Sequence, residues 1–421
     1  MLDKIVSKEN LTQAFHRVVA NGGASGIDGM KASELQSYLN DAWVFLKVEI
    51  LEGKYEPRAV RRVEIPKPNG GVRLLGIPTV LDRLLQQAIA QELQGLWEKT
   101  FSDHSYGFRP NRSAHQALGK AQTYINGGRT YIVDIDLEKF FDRVNHDYLM
   151  HLLGERVLDK RVLHLIGKYL RAGVLIGGLV SKTEEGTPQG SPLSPLLSNI
   201  VLDVMDKELE RRGHKFVRYA DDFSIYCTSQ RGAERLKASL TKFIEEELHL
   251  KINEDKSGIR RPSKMLLLGF GFYATNKGRW GFRLAPKTVS RLKDKIKKLT
   301  QRREPLSTIQ RVISLKSVQQ GWLNYFRIAD CKKHLERIDE WTRRRLRMCE
   351  WKLWKRVRTR IKRLVALGIA PNQAYQWANT RKGYWHTANS PILTRSLTNE
   401  WFKSEGYVSL SELYKRYKAR S

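Results

Sequence analysis

The sequence predicts an α+β chain in which an antiparallel sheet carries acidic side chains and a basic, α-helical region follows. Three observations predict it. The stretches "TYIVDIDLEKFFDRVNHD" and "FVRYADDFSIY" set aspartates at the ends of short β-rich runs. Apolar residues recur at helical spacing in "VLDRLLQQAIAQELQGLWE" and again in the last third. The charge is lopsided: 421 residues carry 75 Lys plus Arg against 44 Asp plus Glu, a net +31. From Ala285 to Ser421 the count is 33 against 10, or +23, so a polyanionic partner is expected and the last third is its main grip.

Taken in order, residues 10–20 read as a helix with Leu11, Ala14, Phe15 and Val18 on one face. "NGGASGIDG" then breaks the pattern with Gly22, Gly23, Gly26 and Gly29, marking a loop. Glycines permit close backbone approach, either to a phosphate of a bound strand or simply in a flexible connection. "RRVEIPKPNGGVRLLGIP" alternates Val63 and Ile65 with polar residues, turns at Pro68-Asn69-Gly70-Gly71 and resumes at Val72, a β-hairpin carrying Arg61, Arg62, Lys67 and Arg73. Four cations on one hairpin suit a triphosphate, although any one of them also suits a solvated face. The helix that follows, from Asp82 to Glu98, presents Leu81, Leu84, Leu85, Ala88, Ile89 and Leu93 as one apolar stripe.

Asp221 and Asp222 fall between two strand-like runs. They suit an exposed hairpin turn, or the binding of a hard divalent cation that offsets their repulsion. The second reading needs a third carboxylate. In "TYIVDID" the side chains of Ile132, Asp134 and Asp136 share one face of a strand, and an acid at a strand's exit lies where open sheets place their sites. Either aspartate could instead cap the next helix. With Asp136 opposite Asp221 and Asp222, three carboxylates would hold two Mg²⁺ ions roughly 3.5 to 4 Å apart, the arrangement used for nucleotidyl transfer.

Cys227, Cys331 and Cys349 are far apart with no C-x-x-C pair, so neither a disulfide framework nor a zinc site is expected. No apolar run reaches the length of a membrane span, and the first residues lack the apolar block of a signal peptide. The expectation is a cytoplasmic protein, a monomer or weak dimer, with no membrane association.

Seven blocks, "RRVEIPKPNGGVRLLGIPTVLDR", "HSYGFRPNRSAHQAL", "VDIDLEKFFDRVNHD", "EEGTPQGSPLSPLLSNIVLD", "RYADD", "NEDKS" and "LLGFGF", occur in the order found in the reverse transcriptase/maturase proteins of group II introns. The chain resembles that family from Arg61 to Phe272, and more loosely beyond Tyr273. The resemblance implies a right-hand polymerase: fingers, a palm with an antiparallel sheet, and an α-helical thumb or maturase domain. It divides the chain into an N-terminal extension with a template-lid loop (1–40), fingers and palm (41–284), a helical thumb (285–405) and a short basic tail (406–421).

Residue by residue, the resemblance makes Asp136, Asp221 and Asp222 the catalytic and metal-holding acids, with Asp134 secondary. Phe141, five residues after Asp136, falls at the aromatic gate that excludes a ribose 2′-OH. Arg61, Lys67 and Arg73 fall on the block that contacts the incoming nucleotide, Gln189 on the nucleotide-positioning block, and Lys256 at a proton donor to pyrophosphate, or a plain surface lysine. Tyr219 and Ala220 would line the primer end, Gly23 and Gly26 the template, and Arg381 and Lys382 of "ANTRKGYWHT" a further nucleic-acid contact. In the thumb, Leu346, Cys349, Leu353, Val357, Ile361 and Leu364 recur at helical spacing, and aromatics such as Trp351 and Trp354 read as core before base-stacking platforms.

The implied activity is RNA-directed DNA synthesis on intron RNA, with dNTPs, an RNA template/DNA primer duplex, group II intron RNA and target DNA as partners. The absence of a His/Cys cluster near Ser421 points to the short class without an endonuclease domain. A domesticated or repair-type enzyme, or a maturase that only assists splicing, remains an alternative reading of the same residues.

Overall fold

The computed structural model describes residues 1–66, 72–176, 179–181, 185–186 and 190–419. They form two compact units, Met1–Arg261 and Pro262–Ser421.

In the first unit, the strands Val60–Pro66 and Val72–Ile77 pair antiparallel, with Arg61 opposite Ile77 and Pro66 opposite Val72. Val174–Ile176 joins parallel to Val60 and Arg61, and Leu179–Ser181 completes a four-stranded sheet. The helix Val80–Trp97 starts where the Thr79 hydroxyl accepts from the amide of Asp82. Its six-residue apolar stripe is buried throughout, as the periodicity requires, and each leucine or isoleucine of it contributes on the order of 1.5 to 3 kcal/mol before entropy. The helix Lys8–Asn21 lies along it, with the Asn10 side-chain amide donating to the carbonyl of Ala88 at 3.1 Å.

The second sheet of this unit is wholly antiparallel: Lys215–Tyr219, Asp222–Cys227, Tyr131–Ile135 and Gly258–Arg260, in that spatial order. One face receives the helix Gln230–Glu246, whose Ala233, Leu236, Leu240 and Ile244 are buried. The helix Ser194–Arg211 reaches the edge strand Lys215–Tyr219. Phe216, Phe223, Ile225, Val133 and Ile135 form the apolar centre between these layers.

The second unit opens with a small antiparallel sheet, Leu266–Leu267, Phe270–Ala274 and Trp280–Leu284. These strands group with the helices, whereas the sequence-based division ran them with the preceding domain up to residue 284. The helices Pro286–Leu299, Thr308–Phe326 and Lys332–Leu353 follow. The apolar series from Leu346 to Leu364 belongs to two helices: Trp354 leaves helical geometry at ψ 62°, and Val357–Ala366 starts anew. Trp351 and Trp354 are buried, as expected of core, while Trp385 is partly exposed with the Arg344 guanidinium 3.9 Å from its ring centre. Residues expected as a short tail include the helix Leu410–Ala419, tied to Lys332–Leu353 where the Asp339 carboxylate accepts from the amides of Leu410 and Ser411. No helix among the described residues is long and apolar enough to cross a membrane.

Candidate active site

Strand register places the acids. The pairing between Tyr131–Ile135 and Asp222–Cys227 ends with Ile135 opposite Phe223, so one residue further Asp136 stands opposite Asp222. On the other side, Tyr219 pairs with Asp222 across a two-residue turn made of Ala220 and Asp221. Hairpin turns of this length need positive φ, and Ala220 supplies it at +58°. Of the aspartate pair, Asp221 lies in the turn and Asp222 opens the following strand.

Asp136, Asp221 and Asp222 line one cavity of about 1190 Å³ together with Phe141 and Lys256. Solvent reaches Asp222 through the mouth of that cavity. Surrounding protein and the negative charge of Asp221, Asp134 and Asp136 nonetheless push its carboxyl up to about 7, with Lys256 opposing. The Asp136 carboxylate accepts from the Lys256 ammonium at 3.2 Å, and its amide donates to Ser257 Oγ at 3.0 Å. Asp134 is set apart: its Oδ2 accepts from Arg260 Nε at 2.9 Å, inside the sheet. Neither acid caps a helix. The short helix Phe140–Arg143 begins at Lys139, held at φ +47°, and the next, His146–Gly154, is capped by the Asn145 side chain.

The donor set suits a hard divalent cation: carboxylate oxygens only, with excess negative charge facing an open cavity. Among the described residues, no three His, Cys, Asp or Glu side chains are already drawn close enough to enclose an ion. The Lys256 ammonium stands at Asp136, where a cation would bind.

Phe141 lines the cavity on the helix Phe140–Arg143. Behind it, Gly186 at φ +91° comes so near that an added Cβ would lie 2.9 Å from the Phe141 carbonyl oxygen, and the buried His146 ring bonds the Gly186 carbonyl. Of the hairpin cations, Arg62 reaches the cavity wall with Val72 and Leu74. Arg61 does not: alternation along the strand turns it to the other face, where its Nε is buried without a hydrogen-bond partner. Lys67 and Gln189 lie outside the described residues, as does the side chain of Arg73.

Gly23 and Gly26 make their close approaches to protein. A Cβ on Gly26 would sit 2.6 Å from Thr79 Cα, and one on Gly23 2.8 Å from an Arg83 nitrogen. Arg83 in turn donates to the carbonyls of Gly22 and Ala24, fastening the glycine loop to the start of Val80–Trp97. In the second unit Arg381 and Lys382 are exposed, next to Tyr384, whose ring lies 5.3 Å from the Arg302 guanidinium.

Sequence reasoning missed the support beneath the acidic turn. Arg218, Asp206, Asn199 and Gly107 are joined there by hydrogen bonds and close packing. An arginine inside the apolar run "FVRYA" was the available signal, since so buried a strand position requires a partner for its charge.

Residues 65–272 match the family described as reverse transcriptase (RNA-dependent DNA polymerase), and residues 289–367 match the group II intron maturase-specific domain. Over 299 residues the chain is 33% identical to Protein YkfC of Escherichia coli, covering 62% of this chain and 78% of that protein. The chain belongs to the group II intron reverse transcriptase/maturase family. A second relative in the family's own line is the group II intron-encoded protein LtrA of Lactococcus lactis, 30% identical over 323 residues, 60% of this chain and 52% of LtrA. The retron Mx65 reverse transcriptase of Myxococcus xanthus is 29% identical over 209 residues, 47% of each chain. The chain therefore spans about half the length of LtrA and of the retron enzyme. Reverse transcriptases of this kind work with divalent metal ions, and the carboxylates that line the cavity lie within the matched segment.

Proposed function

We propose that the chain is an RNA-directed DNA polymerase that extends a DNA primer with dNTPs on intron RNA, uses two Mg²⁺ ions, and binds group II intron RNA to assist splicing and mobility. The observation that carries this reading is the meeting of Asp136, Asp221 and Asp222, from two adjacent strands, on one cavity with Phe141 and Lys256.

Asp136, Asp221 and Asp222 would hold the cations, which when bound activate the primer 3′ hydroxyl and neutralise the departing pyrophosphate. Phe141, on the cavity lining, would bar a ribose 2′-OH by the bulk of its ring. The Lys256 ammonium, released from Asp136, would give a proton or a charge-assisted hydrogen bond to a phosphate oxygen. Arg62 adds positive charge at the wall for the triphosphate. Domain roles follow the matched segments: fingers and palm through the first sheets, thumb and maturase functions in the helices, with target DNA and the RNA template/DNA primer duplex as substrates. The three cysteines are unpaired, which suits cytoplasmic action.

Primer extension on an RNA template tests the reading. Wild-type protein with Mg²⁺ and dNTPs makes cDNA, and Asp222→Ala makes none; full synthesis by that variant would remove the assignment. The retron similarity favours one second reading, a repair-type enzyme with no intron. Splicing of a flanking intron by the purified protein decides between the two.

A further inference from the structure

Beneath the acidic turn lies a fully buried ion pair that the polymerase reading does not use. Arg218 and Asp206 are both 0% exposed. Arg218 Nε lies 2.9 Å from both carboxylate oxygens of Asp206, and Nη2 donates to Oδ2 at 2.5 Å. The remaining nitrogen, Nη1, faces the turn: it donates to Asn199 Oδ1 at 2.7 Å and to the carbonyl of Ala220 at 3.2 Å. The Asn199 amide then donates to the carbonyl of Gly107 at 2.9 Å. Gly107 is packed against the turn from the other side, so closely that a Cβ there would lie 2.3 Å from the amide nitrogen of Ala220. Ala220 sits at φ +58°, a conformation that a non-glycine residue holds only when its surroundings impose it.

Stability alone gives no reason for this arrangement. Replacing a buried ion pair by apolar side chains of similar size is often neutral or stabilising, because desolvation offsets the attraction. Asp203, one helical turn from Asp206, adds to the negative charge there. What a planar, multiply donating guanidinium supplies, and an apolar side chain cannot, is a fixed direction for the Ala220 carbonyl. That carbonyl belongs to the peptide that leads into Asp221.

We infer that Arg218 is a positioning residue: anchored by Asp206 and Asn199, it fixes the Ala220 turn so that Asp221 and Asp222 present their carboxylates together to the cations. It touches neither substrate nor metal. The inference rests on the polymerase reading above, and predicts that weakening the network shows first in metal dependence.

The test is the double variant Arg218→Met with Asp206→Leu, assayed for thermal unfolding, primer-template affinity, kcat and the Mg²⁺ concentration for half-maximal extension. The expected result is a folded protein with unchanged primer-template affinity, kcat at least tenfold lower and a Mg²⁺ requirement at least threefold higher. Arg218→Lys, which keeps the charge without the fork, falls between it and wild type. If the double variant does not fold, Asn199→Ala, which leaves the ion pair intact, decides: it shows the same direction of change at a few-fold size. A folded double variant, or Asn199→Ala, with wild-type kcat and Mg²⁺ dependence overturns the inference alone. Wild-type protein that fails to extend any primer overturns the polymerase reading and the inference with it.

Discussion

The Lys256 ammonium and the Asp136 carboxylate stand 3.2 Å apart on the wall of the acidic cavity, so a cation entering at Asp136 competes with a lysine of the same chain. The lysine side chain is 65% exposed, and pairs of that kind contribute about 0.2 to 1 kcal/mol. Its displacement therefore weakens cation binding by at most about fivefold. Lys256→Met should bind the activating metal up to about fivefold more tightly, read as a lower half-saturating Mg²⁺ in primer extension or by direct titration with Mn²⁺. A raised requirement would mean that Lys256 assists the cation instead of contesting it.

Asp134 and Asp136 stand two residues apart on one strand face in the sequence, yet the structure gives them different work. Asp134 pairs with Arg260 within the sheet and burial holds its carboxyl above the ordinary range, whereas Asp136 opens onto the cavity. If Asp136 holds a cation as proposed, Asp136→Asn should reduce primer extension by about 10³-fold or more. Asp134→Asn keeps an acceptor for Arg260 and should retain activity within a few fold, with a modest fall in unfolding temperature. Side-by-side rates separate the two, and equal losses would contradict the division of labour.

Much of this was legible in the chain because period and turn chemistry speak locally. The stripe from Leu81 to Leu93, the paired strands Val60–Pro66 and Val72–Ile77 and the strands around Asp221 all folded as their spacing requires, while the turn at Pro68-Asn69-Gly70-Gly71 lies outside the described residues. Asp136 could be matched to the aspartate pair because side-chain alternation and strand register are the same rule. Which hairpin cation faces the cavity turns on the phase of the strand, which sets Arg62 inward and Arg61 on the other face. The glycines of "NGGASGIDG" announced close approach without naming the neighbour, which proved to be Thr79 and Arg83. Arg218 with Asp206 and Asn199 was invisible for a different reason: the partners come from a helix and a strand that meet only in the folded unit.

Gly107 offers a sharp steric test of the support under the acidic turn. A methyl group at this position would lie 2.3 Å from the Ala220 amide nitrogen and 3.0 Å from its Cα, both backbone atoms that cannot rotate away. Gly107→Ala should therefore displace the turn or the 102–107 segment, lowering stability by roughly 1 to 3 kcal/mol, as overpacking does, and activity by tenfold or more. Circular dichroism melts beside extension rates would show both, and a variant that keeps full activity would mean that the turn tolerates the shift.

Behind Phe141, Gly186 plays a comparable part at φ +91°, with the Phe141 carbonyl 2.9 Å from where a Cβ would stand. Gly186→Ala adds both strain at positive φ and a clash, and the easiest relief moves the Phe141 backbone. If the ring guards against ribonucleotides, this variant should incorporate rNTPs more readily relative to dNTPs, by several fold in the ratio of kcat/KM. Unaltered sugar discrimination in a protein with reduced activity would detach Phe141 from that role.

Asp203 gives a stability profile whose sign can be worked out. Burial, and then repulsion from Asp206, push its carboxyl from the ordinary 3.8 up to about 6. The folded chain therefore holds this proton more tightly than the unfolded chain. Its contribution to stability is fully present below about pH 4 and is lost as pH rises to about 6, above which the fold contains a buried carboxylate. Two pKa units correspond to at most about 3 kcal/mol. Asp203→Asn abolishes the titration while its side-chain oxygen still accepts from the Ser102 amide, a bond of 3.2 Å in the native chain. The variant should be more stable than wild type by roughly 1 to 3 kcal/mol at pH 7.5 and no more stable at pH 4, measured as urea midpoints at both values. A difference that stays constant across that range would mean that Asp203 does not titrate between the two, and that the charge beneath the Arg218 network is set by Asp206 alone.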